Sequence, residues 1–218
     1  MAFNLPVKAQ NPELQQRLAE AKQAMAQNKQ ALAQYTWVKQ VTISLKGEQK
    51  KQELPGASRP RRQTTKDVAR SARQPSAGGG QAEEAHRREE KAEYKDYADQ
   101  MKSLAQQYVQ PDKDMLQQAY QQGNITMGPV PENPNAVKLV IKNYLKQGDS
   151  MTLIFDKAQK ELLQVQIASY MDDPKDAMNL TVQFSKLPNG PNHVASLVVD
   201  GVSKQLNVAT QNSNYLHL

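Results

Sequence analysis

The chain contains no cysteine, which excludes disulfides, thiolate metal sites, iron–sulfur clusters and cysteine nucleophiles together. Apolar matter is scarce as well. Hydrophobic residues make up 38% and aromatics 6%, with three phenylalanines and one tryptophan, and the mean hydropathy is −0.77. No apolar run approaches the roughly 18 to 20 residues that a membrane helix needs. A chain of 218 residues is still long enough to bury a core, since domains cluster near ~100 to 200 residues. The low average therefore implies that part of the length is solvated rather than packed.

Charge is present but uneven. The net charge is +6, and residues 48–75 hold eight Lys/Arg against three acidic residues, so this segment alone carries +5. The rest of the chain is nearly neutral, and its sequence pI near 9.3 describes a segment, not a binding face. Residues 54–82 add Pro55, Pro60, Pro75 and Gly78-Gly79-Gly80, and are read as a disordered basic linker. Its Arg59-Pro60-Arg61-Arg62 cluster could touch nucleic acid by charge alone. That reading ranks last, because no aromatic interleaves the arginines to stack on bases.

Residues 1–10 have no basic or apolar signal region, yet Val7 and Ala9 stand at the spacing of a signal-peptidase site, just before Asn11-Pro12-Glu13. They are read as a leader or signal-peptide remnant of an exported, periplasmic protein. Asn11 and Pro12 suit a helix start. Leu14, Leu18, Ala21, Met25, Asn28, Leu32 and Tyr35 then form one stripe at helical spacing, with packing on the chain's own sheet favoured over a coiled coil. From Trp37 to Leu45 the period becomes two, which predicts a strand dissolving into residues 46–51. A second helix is predicted over about 81–108, apolar in its second half at Tyr94, Tyr97, Met101, Leu104 and Tyr108, followed by a short helix capped by Asp112 and closed by Gly123. Pro129, Pro131 and Pro134 predict a loop.

Beyond Asn124 the alternation predicts strands at 137–145, 151–155, 163–167, 178–185, 194–199 and 202–209, with Asp200-Gly201 as a tight hairpin. Consecutive strands on short turns make an antiparallel meander with one wet and one dry face. The expected fold class is α+β: a curved, half-barrel-like antiparallel sheet packed on two or three helices. Residues 11–53 supply its first helix and strand, and 83–218 complete the same domain.

Catalytic and metal motifs are missing. Of the three histidines, His86 lies in a charged helix, His217 at an end expected to fray, and no pair has metal-ligand spacing. His193 shares the phase of Ala195, Leu197 and Val199, which favours a partly buried structural residue over a base. Asp172-Asp173-Pro174-Lys175-Asp176 lacks the glycine and distal glutamate of a calcium loop and reads as a turn. No cofactor and no metal are expected, and the chain is read as a non-enzyme. The remaining candidate is an apolar ligand site formed by Trp37, Met101, Met151, Phe155, Met178, Leu180 and Phe184, since methionine and aromatic side chains line adaptable pockets; an ordinary core uses the same residues.

Three segments also carry a resemblance: Asn28-Lys29-Gln30-Ala31-Leu32-Ala33-Gln34-Tyr35-Thr36-Trp37, Asn143-Tyr144-Leu145-Lys146-Gln147-Gly148-Asp149-Ser150-Met151 and Ser169-Tyr170-Met171-Asp172-Asp173-Pro174-Lys175-Asp176. They resemble exported bacterial proteins of uncharacterised function, which are loosely similar in layout to periplasmic lipoprotein carriers and sigma-factor regulators. The resemblance implies a half-barrel whose inner face receives acyl chains, and it supplies no catalytic residue. The expected function is that of a monomeric periplasmic carrier or binding protein for a lipid-like ligand. The alternative is a structural or interaction protein of the cell envelope with a protein partner and no small ligand.

Overall fold

The structure, a computed structural model, describes residues 16, 19, 23, 26–56, 81–109, 112–188 and 190–218. Helix α1, described as helical at residues 26–32, leads into strand β1, Tyr35–Leu45, and β2, Glu48–Gly56. Helices α2, Gln81–Val109, and α3, Lys113–Gln121, follow. The remaining strands are β3, Ile125–Val130; β4, Asn133–Lys142; β5, Ser150–Asp156; β6, Glu161–Tyr170; β7, Ala177–Lys186; β8, Asn192–Gly201; and β9, Leu206–His217. All nine strands form one open antiparallel sheet in the order β2-β1-β9-β8-β7-β6-β5-β4-β3. The α+β class and the antiparallel meander are as the sequence predicts.

This order imposes a crossing. The chain leaves β2 at one edge of the sheet and must begin β3 at the other. Strand spacings of ~4.8 Å separate those edges by ~38 Å. The 29 residues of α2, at ~1.5 Å each, span ~43 Å, so this helix is long enough to carry the chain over the full width. Its side chains meet successive hairpin turns in the order in which the sheet arranges them. Glu90 pairs with Lys46 of the β1–β2 turn at 3.0 Å, and Glu93 with Lys204 of the β8–β9 turn. Tyr97 then donates to Asp176 of the β6–β7 turn at 2.7 Å, and Tyr108 to Asp149 of the β4–β5 turn at 2.6 Å. From residue 90 to residue 108 the helix rises ~27 Å, close to the ~29 Å of six strand spacings between the first and last of these turns.

The apolar stripe of α2 follows from that path. Tyr97, Met101, Leu104, Ala105 and Tyr108 are buried in one cluster with Ile141, Met151, Ile167, Met178, Leu180 and Val199 of the sheet. Strand β7 shows why only one face takes part: Met178, Leu180 and Val182 are buried while Asn179 and Gln183 are exposed. Gly201 lets the helix come close, because a Cβ there would stand 2.6 Å from the Tyr97 ring and 2.7 Å from Met101 Sδ. At the end of α2 the chain turns through Asp112, whose carboxylate caps α3 by accepting from the Asp114 and Met115 N–H groups at 2.8 and 3.1 Å. Gly123, at φ +72°, closes α3 as the sequence suggests.

Several sequence expectations change. The strand predicted to dissolve at 46–51 turns instead through Lys46 and Gly47, both at positive φ, into β2; two such residues make the reversal that matches the twist of paired strands. Of the expected linker, 54–56 belong to β2 and 81–82 to α2, and 57–80 lie outside the described residues, as do the leader 1–10 and Met25. The strand predicted to reach Leu145 stops at Lys142, because the Asp149 carboxylate draws in the Tyr144, Leu145 and Lys146 N–H groups. The proline loop is a β3–β4 hairpin. Asp200-Gly201 is not the hairpin tip but the end of β8, and the turn runs over 202–205. His217 does not lie in a frayed end: it pairs with Tyr35 in β9 and packs edge-on against that ring at 4.9 Å.

Two stability measurements check this account. Gly201→Ala is expected to cost about 1 to 3 kcal/mol in urea denaturation through overpacking, while Gly128→Ala, where a Cβ meets nothing within 4 Å, is expected to be near neutral; equal effects would contradict the close approach. Tyr108→Phe, which deletes a bond to a buried carboxylate, is expected to cost about 1.5 to 3 kcal/mol, and a loss under about 0.5 kcal/mol would show that the α2 anchor at Asp149 is not structural.

Candidate functional site

The two ends of the sheet differ in chemistry. At the turn end, polar groups are matched. Asp149, 2% exposed, accepts from the Tyr144, Leu145 and Lys146 N–H groups at 2.6, 2.9 and 2.9 Å, and from the Tyr108 hydroxyl. The Tyr108 hydroxyl, whose one proton goes to Asp149, accepts from Ser169 at 2.8 Å, and Lys146 Nζ reaches the Tyr170 and Met171 carbonyl oxygens. The segments around residues 143–151 and 169–176 therefore meet in space. Burial, followed by the bond to Asp149, pushes the Tyr108 pKa above the ordinary tyrosine value. Asp176 accepts from both Tyr97 and Ser203, the latter at 2.5 Å, while Asp173 accepts from the Lys175 N–H at 2.8 Å. These carboxylates are tied into turns and helix anchors. No group of three or more potential metal ligands occurs among the described residues.

The opposite end brings together the start of β1, the end of β7, the start of β8 and the end of β9. Trp37 stacks on Tyr215 with centroids 5.5 Å apart and planes at 20°, and Tyr215 meets the His193 ring at 4.3 Å. The pairing of β7 with β8 shifts between Gln183 and Phe184, so that one additional residue, Ala195, is taken up in β8. This bulge breaks the phase that the sequence assigned to His193: Val194, not Ala195, pairs with Phe184, and His193 pairs with Ser185. The Val194 carbonyl accepts from Asn212 Nδ2 at 2.8 Å and from the Tyr215 hydroxyl at 3.3 Å. Next to it, Asn192 donates its N–H to Asn28 of α1 at 3.1 Å and its Nδ2 to the Leu162 carbonyl at 2.6 Å. Asn28, the one polar member of the first helical stripe, thus fastens α1 to β8.

Two polar atoms here are left over. His193 Nδ1 and Asn212 Oδ1 are both buried without a hydrogen-bond partner. Leaving such a group unpaired costs about 1 to 3 kcal/mol. Burial lowers the His193 pKa, against a backbone hydrogen bond with Ser185 that raises it, and burial pushes Tyr215 up to about 12.

The sequence-selected apolar residues divide between these regions. Met101, Met151, Met178 and Leu180 are each at most 1% exposed and share the core cluster with Tyr97 and Tyr108. Phe184 packs half-buried against the margin of that cluster. Phe155 is buried at 6% but outside it, and Trp37 is half-buried on Tyr215. The structure therefore gathers four of the seven and sets Trp37 apart with His193, Asn212 and Tyr215. Sequence reasoning missed Asn212 and Tyr215, because it ended the last strand at Ala209 where β9 continues to His217. A separate depression of about 290 Å³ lies over β5, β6 and β7, where Ser150, Thr152, Gln166, Ala168, Asn179 and Thr181 supply small and polar side chains. These residues alternate with the core positions Met151, Ile167 and Met178, which puts the depression on the sheet's other face.

Comparison with protein-family models, with curated proteins and with solved structures found no match for the chain. No helix among the described residues is long and apolar enough to cross a membrane.

The buried imidazole sets the sign of one pH effect. An unfolded His193 takes up a proton near its ordinary value of 6.5, whereas the folded ring resists protonation. Its contribution to stability is therefore present above pH 6.5 and is lost as pH falls through the lower folded value. The urea midpoint is expected to fall between pH 7 and pH 5, and His193→Phe to reduce that fall. An undiminished fall in the variant would assign the acid sensitivity to other groups.

Proposed function

We propose that the chain is a non-enzymatic carrier or binding protein of the periplasm that accepts a lipid-like apolar ligand on the helix-facing side of a half-barrel-like sheet. The observation that carries this reading is the placement of methionine. Met101, Met151, Met171 and Met178 are buried in the core cluster, and Met115 and Met127 pack against it, so every described methionine serves this one interior. Unbranched thioether side chains change rotamer at low cost, and an interior built from them can remould around an alkyl chain. The ligand's tail is placed along Phe184 and Phe155 toward Met178, Leu180, Met151 and Met101, with Trp37 at its outer end. Such a layout agrees with the lipoprotein-carrier resemblance of the three sequence segments. Export and a monomeric state belong to the same reading.

A second reading has one observation in its favour. Met101, Met151, Met178 and Leu180 are already at most 1% exposed, as in a filled core. A structural or interaction protein of the envelope, with no small ligand, needs nothing more.

Binding of a fluorescent long-chain acyl probe separates the two. The carrier reading expects saturable binding that Phe184→Ala weakens by about tenfold to a hundredfold, since burying a large apolar side chain contributes about 1.5 to 3 kcal/mol. Absence of saturable binding to the folded protein would overturn it in favour of the interaction protein.

A further inference from the structure

The face of the sheet turned away from α2 carries a feature that the interior does not explain. The depression of about 290 Å³ over β5, β6 and β7 is lined by side chains in register. Ser150, Ala168 and Asn179 stand opposite one another across the three strands, and Thr152, Gln166 and Thr181 form the next row. Members of a row are ~4.8 Å apart, and alternate residues of a strand share one face. Ala168 is the middle of the first row and is exposed. With only a methyl group between Ser150 and Asn179, it forms the floor that the longer side chains surround.

The lining is also distinctive in charge. Charged residues make up 23% of the chain, and such residues belong mostly to exposed surface. Yet the outward positions from Ser150 to Ile154 on β5, from Gln164 to Ala168 on β6 and from Asn179 to Ser185 on β7 hold none. Charge returns on the adjoining strands, at Lys142 opposite Ser150 and at Asp200 opposite Asn179. The five polar side chains of the two rows make no hydrogen bond with any described residue. Neither row contains an aromatic or large aliphatic side chain, so burial of an apolar group gains little there.

We propose that this depression is a second binding site, and that it takes a neutral polyhydroxyl group such as a ring of an uncharged saccharide. Hydroxyl and amide side chains both donate and accept, and so does every sugar hydroxyl, so the two sets pair in either direction. An anionic ligand finds no cation in the lining, and a cationic one finds no carboxylate. A peptide strand adds by its backbone to a sheet edge, whereas β5, β6 and β7 are interior strands. The volume falls at the lower end of the range for ligand pockets, about 300 to 1,000 Å³, which suits a small ligand. The site lies across the sheet from the proposed lipid site and does not depend on it.

Methyl NMR of the full chain tests this site, because Thr152, Ala168 and Thr181 each bring a methyl group to it. Maltose, cellobiose and N-acetylglucosamine are titrated separately, with glucuronate as the charged counterpart and an uncharged Ser/Gln-rich peptide as the protein-like one. At least one neutral sugar is expected to shift the three methyl signals saturably, and glucuronate to bind more weakly. Gln166→Ala is expected to weaken that sugar by about threefold to tenfold, the value of one neutral hydrogen bond. Ala168→Leu, which fills the depression from an exposed position, is expected to abolish the Thr152 and Thr181 shifts. Thr42→Leu, on the same face of β1, is expected to leave them intact, and urea midpoints check that each variant folds. Absence of shifts with every neutral sugar would overturn the proposal, as would equal or tighter binding of glucuronate. Shifts that survive Ala168→Leu would place the sugar elsewhere and overturn it too. Shifts with the peptide alone would assign the face to a protein partner instead. None of these results alters the carrier function, which the acyl probe tests.

Discussion

One topological constraint organises this molecule: the N-terminal hairpin β1–β2 joins the sheet beside the last strand, β9, while the next strand in sequence, β3, lies at the far edge. The connecting chain must cross the whole sheet, and an apolar face is available to cross only on one side. Helix α2 meets both demands, with a length that matches the sheet's width and a stripe that buries against it. Its anchors grade along its path. The two ion pairs that come first along it, at Glu90 and Glu93, involve largely solvent-facing side chains and contribute little to stability. The two tyrosine bonds that follow are buried or half-buried and end on carboxylates, where a hydrogen bond is worth more.

This crossing gives the sheet two unlike ends. At the turn end, Tyr97, Tyr108, Asp149 and Asp176 satisfy one another, and the network ties helix to hairpins. At the other end α1 attaches through Asn28, the aromatic side chains of Trp37 and Tyr215 stay half-buried, and two buried polar atoms lack hydrogen-bond partners. On the proposed reading the methionine-rich interior lies between them and adapts to an alkyl chain.

Much of the fold is legible in the sequence because its signals are local. The strict alternation of Met178 to Ser185, the helical stripe from Tyr94 to Tyr108, and the cap at Asp112 each follow from spacing that neighbouring residues determine. The breaks in the pattern are different. Ala195 and Asn214, the latter at φ +53°, lie where the strand register shifts, and nothing in an alternating sequence marks which residue a bulge will absorb. The phase of His193 and the continuation of β9 to His217 were lost for that reason. Gly201 looked like a turn residue because glycine serves both turns and close approaches; only the position of Tyr97 and Met101 decides between them. Asp149 stood in a recognisable segment, but its role depends on Tyr108, 41 positions away in sequence. The candidate apolar set was drawn from side-chain type alone, so it combined Trp37 with residues that the fold places elsewhere.

The central claim is that the helix-facing interior takes up a lipid-like molecule in its native compartment. Native mass spectrometry of the protein exported with a signal peptide, paired with organic extraction of the same sample, tests it most directly. The account predicts a bound mass in the lipid range that extraction releases. A homogeneous unliganded mass, with nothing in the organic phase above the level of a control protein exported in parallel, would contradict it.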